Sequence, residues 1–287
     1  MSQKEYANNP MNDLTAILNA YPSGLRMTSC LAPNLDYLCR MVTAYLAQRL
    51  GVAIEFVDDL PWATRFQQLD QGEIHLAWIC GAPYTERMAR WPGRLELLAA
   101  PVWRAPHYHA QPVYYSAVVT PAASPFRSMA DLRGGRWAYN EATSLSGYYV
   151  VCHHLAQQGC QMGYFRSAVA TGSHQRALEL VAAGAVDGAA IDTTMLEQAL
   201  LDDPALAAKL RMIARLGPNP MPPWVVHTGV SAALRAALRQ ALLDFTPDHS
   251  LCNQMAIPPL SHFAQVTDQD YLPILSMIQQ AATVQLA

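Results

Sequence analysis

Charged residues are scarce in this chain, and neither sign of charge dominates. Lysine, arginine, aspartate and glutamate make up 14% of the 287 residues, and the formal net charge is −3. No basic stripe is present, so the sequence gives no support for binding to nucleic acid or to a membrane surface. No window reaches the ~20 apolar residues of a membrane-spanning helix. The hydrophobic content of 52% nevertheless supplies ample material for a core and argues against disorder.

The sequence also lacks cysteine pairs of the C-x-x-C type and clusters with the spacing of a zinc site. Its cysteines are scattered on apolar segments, which predicts buried free thiols and suits a reducing compartment. They are Cys30, Cys39, Cys80, Cys152, Cys160 and Cys252. We expect neither a metal ion nor a cofactor.

A secretory signal is absent from the start of the sequence. Residues 1–21 are polar, with Asn8-Asn9-Pro10 near their beginning, and they contain no apolar core of a signal peptide. The sequence as it stands predicts a cytoplasmic protein, or a periplasmic one if a leader has been removed.

Short apolar runs alternate with helical patterns along the chain, which predicts an α/β fold. The alternation restarts near residue 136, and long strands join the two series. We therefore predict two lobes, residues 1–115 with 225–287 and residues 116–224, each a mostly parallel sheet flanked by helices. Extended crossings at 113–119 and 220–226 would form a two-strand hinge, with a ligand cleft between the lobes.

One turn between a predicted strand and a predicted helix attracts particular interest. Residues 137–148 run from an apolar strand through Ser144 and Ser146 into a helix that is predicted to begin near Ser146. The first N–H groups of a helix lack partners within the helix and carry partial positive charge. The turn therefore suits an anion, although the serines could equally cap their own helix.

Polar or glycine-bearing residues follow five of the predicted strands. Ligands gather at the carboxyl ends of strands in open parallel sheets, so these ends together predict a site. They are the segments 31–36, 80–84, 140–148, 171–174 and 192–194.

Four short motifs carry a resemblance to a known family. They are Gly-Ala-Pro-Tyr at 81–84, Ser-x-Ser-Gly-Tyr at 144–148, Gly-Ser-His at 172–174 and Ala-Ala-Ile-Asp at 189–192. In this order they resemble the phosphonate, phosphite and phosphate substrate-binding proteins of ABC transporters, from about residue 26 to about residue 245. The resemblance implies a two-lobed type II periplasmic-binding-protein fold, a small-molecule ligand and, if the protein is exported, an ABC permease as partner.

The resemblance also implies roles for individual residues. Ser144, Ser146 and the backbone at Gly147 would hold the anionic head of the ligand, and His174 would add a hydrogen bond or a positive charge. Asp192 would accept from an ammonium or hydroxyl group at the other end of the ligand. The rest of the predicted site comprises Asn34, Tyr84, Asn140, Tyr148 and Trp224.

Leu145 and Glu141 keep the ligand open, and the missing signal sequence, a second departure from the family besides Leu145, keeps the function open. The family commonly reads Ser-Thr-Ser-Gly at this turn, whereas this chain has Leu145 in the second position, and Glu141 lies close by. A phosphonate, a carboxylate, a zwitterion and a neutral ring are all candidate ligands. Similar folds occur in menaquinone-pathway lyases and thiamin-pyrimidine synthases, so an enzyme with His174 or Glu141 as general base is an alternative to a binding protein. A ligand-dependent cytoplasmic sensor is a second alternative.

Overall fold

The computed structural model describes residues 21–247 and 260–287. The polar N-terminal segment on which the predicted cytoplasmic location depends lies outside the described residues, except for Tyr21. Cys252, predicted to be a free thiol, also lies outside them. The other cysteines are free, and they are buried or partly buried, at Cys30, Cys39, Cys80, Cys152 and Cys160.

Strands and helices alternate as the sequence predicts. The strands are β1 (Leu25–Cys30), β2 (Ile54–Val57), β3 (Leu76–Ile79), β4 (Leu95–Trp103), β5 (Val113–Pro121), β6 (Arg136–Tyr139), β7 (Ser167–Ala170), β8 (Gly188–Asp192), β9 (Leu210–Pro220), β10 (Trp224–His227) and β11 (Leu260–Ala264). The α-helices are α1 (Asp36–Leu50), α2 (Trp62–Gln71), α3 (Gly81–Arg90), α4 (Val150–Gln157), α5 (His174–Ala182), α6 (Thr193–Asp202), α7 (Leu206–Lys209), α8 (Ala232–Leu243) and α9 (Asp268–Ala281). A π-helical turn (Leu145–Tyr149) precedes α4.

Helix α1 shows how the pattern of apolar residues produces these elements. Leu38, Val42 and Leu46 lie four residues apart, so they share one helix face, and all three are buried against the sheet. Gly51 ends the helix in the left-handed conformation, with φ of 66°, which glycine adopts without steric penalty. The strand β2 can then begin within a few residues.

The strands form two sheets, one in each lobe. The first sheet has the order β11-β4-β10-β3-β1-β2 and the second has the order β7-β6-β8-β5-β9. The predicted two-lobed α/β architecture is therefore confirmed. The residue boundaries that we predicted for the two lobes stay a prediction.

Both sheets are mixed, whereas the sequence predicted mostly parallel ones. In the first sheet β1 runs parallel to β2 and β3, but β10 is antiparallel to β3 and β4. In the second sheet β6 runs parallel to β7 and β8, but β5 is antiparallel to β8 and β9. The antiparallel strands β5, β9 and β10 adjoin the segments that connect the lobes. Each sheet thus has a parallel part that follows the βαβ rhythm and an antiparallel part beside the crossings.

The two crossings lie side by side. Strands β5 and β9 pair with each other in the second sheet, and the Met221 N–H donates to the Pro112 carbonyl oxygen at 2.9 Å where the chain leaves that sheet. The Pro223 carbonyl then accepts from the N–H of Ile79 in the first sheet at 3.2 Å. These backbone bonds tie the crossings to both sheets.

The C-terminal helix α9 packs against both lobes. It contacts α3, which follows a strand of the first sheet, and α4 and the π-helical turn, which follow a strand of the second. The Tyr271 hydroxyl donates to the Met221 carbonyl oxygen at 2.8 Å. Farther on, the Leu286 carbonyl accepts from the N–H of Phe165 in the second lobe at 2.8 Å. No helix among the described residues is both long enough and apolar enough to cross a membrane.

Candidate ligand-binding site

A cavity of about 440 Å³ lies between the two lobes. It collects residues that follow β1 and β3 in the first sheet and β6, β7 and β8 in the second. These residues include Leu31 and Pro33, Cys80 and Pro83, Asn140 and Ser144, Gly172 and His174, and Asp192 and Thr194. The five strand ends singled out in the sequence therefore meet at one place, because β1 is parallel to β3 and because β6, β7 and β8 are parallel to one another. We call this space the interlobe cavity.

The two walls of the interlobe cavity differ in chemistry. The second lobe supplies mainly hydroxyl, amide, imidazole and carboxyl groups, which belong to Asn140, Glu141, Thr143, Ser144, Ser146, Ser173, His174, Asp192 and Thr194. The first lobe and the crossing supply mainly apolar side chains, which belong to Leu31, Ala32, Pro33, Leu35, Trp62, Ala63, Phe66, Trp78, Pro83, Met221 and Pro222. We call these the polar wall and the apolar wall.

The serine turn both caps its helix and faces the cavity. The Ser144 hydroxyl accepts from the Gly147 N–H at 3.1 Å, so Ser144 is the N-cap. The helix begins at Leu145, one residue before the predicted start, and its first turn is π-helical. In that turn the N–H groups of Tyr148 and Tyr149 both donate to the Ser144 carbonyl oxygen, at 3.2 and 3.0 Å. Capping and cavity lining, which were alternatives at the level of sequence, are thus combined in Ser144.

His174 joins the serine turn to the next strand end. Its Nε2 lies 3.0 Å from the Ser146 hydroxyl oxygen, and the side chain is buried, with 6% of its surface exposed. Burial lowers the pKa of His174 to about 4, because an apolar environment disfavours the charged imidazolium. The imidazole is therefore neutral near pH 7. Its Nδ1 is buried without a hydrogen-bond partner.

Gly147 is required where these groups converge. A Cβ atom at this position would lie 2.0 Å from Oδ1 of Asn140 and 3.3 Å from Cε1 of His174. The Asn140 Oδ1 is itself buried without a partner. Glycine thus allows the amide and the imidazole to approach the helix start, where a side chain would separate them.

Two carboxyl groups complete the polar wall. The Asp192 Oδ1 caps α6 by accepting from the Thr194 N–H at 2.8 Å and from the Thr194 hydroxyl at 2.7 Å. Burial raises the pKa of Asp192 to about 6. The Glu141 carboxylate accepts from the Thr143 hydroxyl at 3.3 Å, and burial raises its pKa as well. Each carboxyl group becomes neutral as the pH falls. Both groups therefore repel an anion beside them more strongly at high pH than at low pH.

One part of the apolar wall is built on α2. Trp62 and Phe66 lie four residues apart, on one face of this helix, and both are partly exposed. Behind them Trp78 is held by a hydrogen bond from its Nε1 to the Pro222 carbonyl oxygen at 2.9 Å. These aromatic residues were not predicted as site residues, except that Trp78 belongs to a strand that ends there. The pattern of residues 62–70 predicts a helix, and the four-residue spacing of Trp62 and Phe66 on that helix is the signal that could have identified them.

The one arginine that lines the cavity already has partners. The Arg87 guanidinium donates to both carboxylate oxygens of Asp70, at 2.8 and 3.1 Å. Its other face lies over the Phe66 ring, 4.1 Å from the ring centroid. Among the described residues of the cavity, no cationic side chain is left without a carboxylate.

Several predicted site residues lie elsewhere. Tyr84 is one turn into α3 and points to α9, where its hydroxyl donates to Asp268 and its ring packs edge-on against Tyr271. Trp224 is buried and stacks on Trp78 at 6.1 Å between centroids, so it supports the apolar wall from behind.

Tyr148 and Asn34 are also outside the interlobe cavity. Tyr148 packs against Tyr139 and Tyr149 on the side of its helix away from the cavity lining. Asn34 lines a neighbouring groove between the turn after β1 and the helices α5 and α6. For Tyr84 and Tyr148 the reason is the same: the end of the strand fixes the location of the backbone, whereas the phase of the following helix decides which side chains face the cavity.

The fold and the cavity define the class of protein. Two α/β lobes, joined by paired crossings and enclosing a cavity at the ends of their parallel strands, are the architecture of type II periplasmic-binding proteins. Residues 33–271 match the family described as ABC transporter, phosphonate, periplasmic substrate-binding protein. The chain belongs to this family, and the resemblance found in its sequence is confirmed.

Solved structures agree with this fold. PhnD1 from Prochlorococcus marinus in complex with methylphosphonate superposes with a TM-score of 0.78 at 16% identity, over 91% of this chain and 98% of that one. A binding protein component of an ABC phosphonate transporter from Pseudomonas aeruginosa gives 0.75 at 19% identity, over 90% and 88%. The alkanesulfonate-binding protein SsuA from Xanthomonas axonopodis pv. citri, bound to MOPS, gives 0.62 at 20% identity, over 92% and 95%.

Proposed function

We propose that this protein binds a small organic anion in the interlobe cavity and holds the anionic head on the polar wall. The observation that carries the proposal is the convergence of Ser144, Ser146 and His174 at the start of one helix, beside the start of another. Helix starts attract anions through their free N–H groups and their dipoles. Hydroxyl groups add donors that can rotate toward each oxygen of the head.

The head group is held by neutral donors in this proposal. His174 is neutral near pH 7, and Arg87 is occupied by Asp70. Neutral His174 carries a single N–H and its Nε2 is bonded to the Ser146 hydroxyl, so either the Nδ1–H or that hydroxyl can donate to the ligand, but not both. The Asn140 amide can donate after rotation. Such a site favours a singly charged head over a doubly charged one, because no lone cation compensates for the second charge.

Binding fits this site better than catalysis. Of the two candidate general bases, His174 is poorly suited, because a general base works best when its pKa lies near the working pH and the pKa of His174 is lowered to about 4. The membership of the family favours the same choice. The enzymatic alternative predicts that a bound compound is converted to product, which mass spectrometry of the incubated ligand would detect.

An ABC permease is the protein partner that we propose, since the family consists of substrate-binding proteins of ABC transporters. The family description also includes a periplasmic location. We therefore propose the periplasm as the place of action, in place of the cytoplasm expected from the polar start of the sequence and from its unpaired cysteines.

Isothermal titration calorimetry with methylphosphonate, methanesulfonate, acetate and glycine tests the proposed function. At least one anion should bind, and Ser146→Ala should weaken it about tenfold or more, since a hydrogen bond to a charged group contributes about 1.5–3 kcal/mol. The absence of binding by every anion, or unchanged affinity in Ser144→Ala and Ser146→Ala, would contradict the proposal. A preference for glycine that is lost in Asp192→Asn would instead place an ammonium group against Asp192.

A matched control separates binding from capping. Ser231 caps α8 by accepting from the Leu234 N–H at 3.4 Å, as Ser144 accepts from Gly147, but it is not among the residues of the cavity. Ser231→Ala and Ser144→Ala should each lower the free energy of unfolding by about 1 kcal/mol. Only Ser144→Ala should also lower the affinity for the anion.

A further inference from the structure

We propose that the ligand carries an apolar body of the size of an aromatic ring, which packs on Trp62, Ala63 and Phe66 of α2 while its anionic head lies on the polar wall. This inference rests on the proposed function and specifies the class of ligand: an organic acid whose substituent is a ring or an equivalent hydrocarbon. The evidence is the opposite chemistry of the two walls and the size of the space between them.

The apolar wall has surface available for a ligand. Trp62 and Phe66 are only partly buried, and Ala63 between them is exposed. All three line the interlobe cavity. Aromatic surface in contact with water is unfavourable, and a ring that covered it would remove apolar area on both sides of the contact. No hydrogen-bonding group projects from these three side chains except the indole N–H of Trp62.

The apolar wall is also held in place. Arg65, on the flank of α2 next to Trp62, is buried and donates to the Ser29 carbonyl oxygen at 2.8 Å and to the Leu60 carbonyl oxygen at 2.6 Å. The bond to Ser29 ties α2 to the end of β1. The guanidinium of Arg87 covers one face of Phe66. A wall fixed in this way loses little conformational freedom when a ligand packs on it, so the contact favours binding.

The size of the cavity supports the same conclusion. Its volume of about 440 Å³ lies within the range of about 300–1,000 Å³ that is typical of pockets for drug-sized molecules. An anion with a single methyl group would reach the polar wall and leave the apolar wall in contact with water. A ring-bearing acid can meet both walls at once.

The first test compares phenylphosphonate with methylphosphonate by isothermal titration calorimetry on the wild-type chain. The two probes share the head group and differ in the apolar body. We expect phenylphosphonate to bind about thirtyfold more tightly, the ratio that corresponds to burial of a phenyl ring. Equal affinities would overturn this inference and leave the proposed function intact. The absence of binding by both, together with the other anions, would overturn the proposed function itself.

Variants of the apolar wall locate the ring. Trp62→Ala should reduce the preference for phenylphosphonate to below about fivefold and leave the affinity for methylphosphonate within about twofold. Trp91→Ala is the matched control, because Trp91 is partly buried at the end of α3, packs between Arg90 and Arg94, and is not part of the cavity. A preference that survives in Trp62→Ala, or one that falls equally in Trp91→Ala, would contradict the placement of the ring on α2.

A second variant fills the space that we assign to the ring, whereas Trp62→Ala enlarges it. Ala63 is exposed on α2, so Ala63→Leu is compatible with folding, and its larger side chain would occupy the surface assigned to the ring. Phenylphosphonate should then bind at least tenfold more weakly than to the wild type, while methylphosphonate is unaffected. If the affinity for phenylphosphonate does not fall, the ring does not lie on this wall.

Discussion

The two walls of the interlobe cavity arise from the same kind of structure and have opposite chemistry. In each lobe a parallel strand ends, the chain turns, and a helix begins at the cavity. In the second lobe the turns carry serine, histidine, asparagine and aspartate, whereas in the first lobe they carry leucine, proline and cysteine beside the aromatic face of α2. Topology therefore decides where the site is, and the side chains of each turn decide what it binds.

The largest expected effect concerns His174 and Asp192 of the polar wall, whose pKa values are shifted in opposite directions. The pKa of His174 is lowered from 6.5 to about 4. Below pH 6.5 the unfolded chain binds a proton at this histidine more readily than the folded chain does. The free energy of unfolding therefore falls by about 3 kcal/mol in all as the pH drops from 6.5 to 4. The pKa of Asp192 is raised from 3.8 to about 6. Stability from this group is present below pH 3.8 and is lost as the pH rises through 6, so the two effects largely offset each other.

Asp192→Asn removes one of these two effects and keeps the helix cap, because asparagine caps as well as aspartate does. Between pH 6.5 and pH 4 the free energy of unfolding of this variant should fall by about 3 kcal/mol more than that of the wild type. Urea unfolding at a series of pH values measures the difference. Parallel curves for the two proteins would show that Asp192 is not shifted as its burial implies.

A second comparison places the same substitution at the start of a helix in each lobe. In Gly147→Ala the new Cβ would lie 2.0 Å from the buried Asn140 Oδ1, whereas in Gly81→Ala it would lie 2.7 Å from Cδ1 of Ile274, the flexible end of an apolar side chain. We expect Gly147→Ala to lower the free energy of unfolding by about 2–3 kcal/mol and Gly81→Ala by about 1 kcal/mol or less. Only Gly147→Ala should abolish binding of methylphosphonate. Similar losses of stability and affinity in both variants would remove the distinction between the two turns.

The smallest expected effect concerns a contact between the lobes. The Tyr37 hydroxyl on α1 donates to Gln198 Oε1 on α6 at 2.9 Å, across the cleft. The Tyr45 hydroxyl, also on α1, donates to the Ala241 carbonyl oxygen at 3.0 Å within the first lobe. Tyr37→Phe should weaken binding of methylphosphonate about fivefold, since a hydrogen bond contributes about 1 kcal/mol. Tyr45→Phe should lower the free energy of unfolding by about 1 kcal/mol and leave the affinity unchanged. A loss of affinity in both variants would show that the effect of Tyr37→Phe does not come from the contact between the lobes.

The sequence predicted the strand ends well because they depend on local signals. The sequence predicts helices over 36–50 and 62–70 and strands over 136–139 and 224–227. The bounds of α1, β6 and β10 coincide with these, and α2 differs by one residue at its end. Apolar periodicity together with glycine and proline defines such elements locally. The polar wall follows directly, since most of its residues stand immediately after a strand.

The apolar wall and α9 were missed for a different reason. Trp62 and Phe66 lie within a helix that reaches the cavity from the side, so their role depends on how α2 packs on β1 through Arg65. Helix α9 contains Pro273, which predicts an interruption where the structure has a continuous helix. Tyr84 was assigned to the ligand and faces α9 instead. Contacts between elements that are distant in sequence decide each of these cases.

The position of α9 has a mechanical consequence for opening of the cleft. Two connecting segments permit the lobes to rotate about the line that joins them, but a third segment attached to both lobes restricts that rotation. Helix α9 packs on α3 in one lobe and on α4 in the other, and the chain beyond it is bonded to Phe165. Separation of the lobes would therefore have to change the packing of α9 on at least one of them. We therefore expect the packing of Ile274 and Tyr271, neither of which lines the interlobe cavity, to affect how quickly a bound molecule is released.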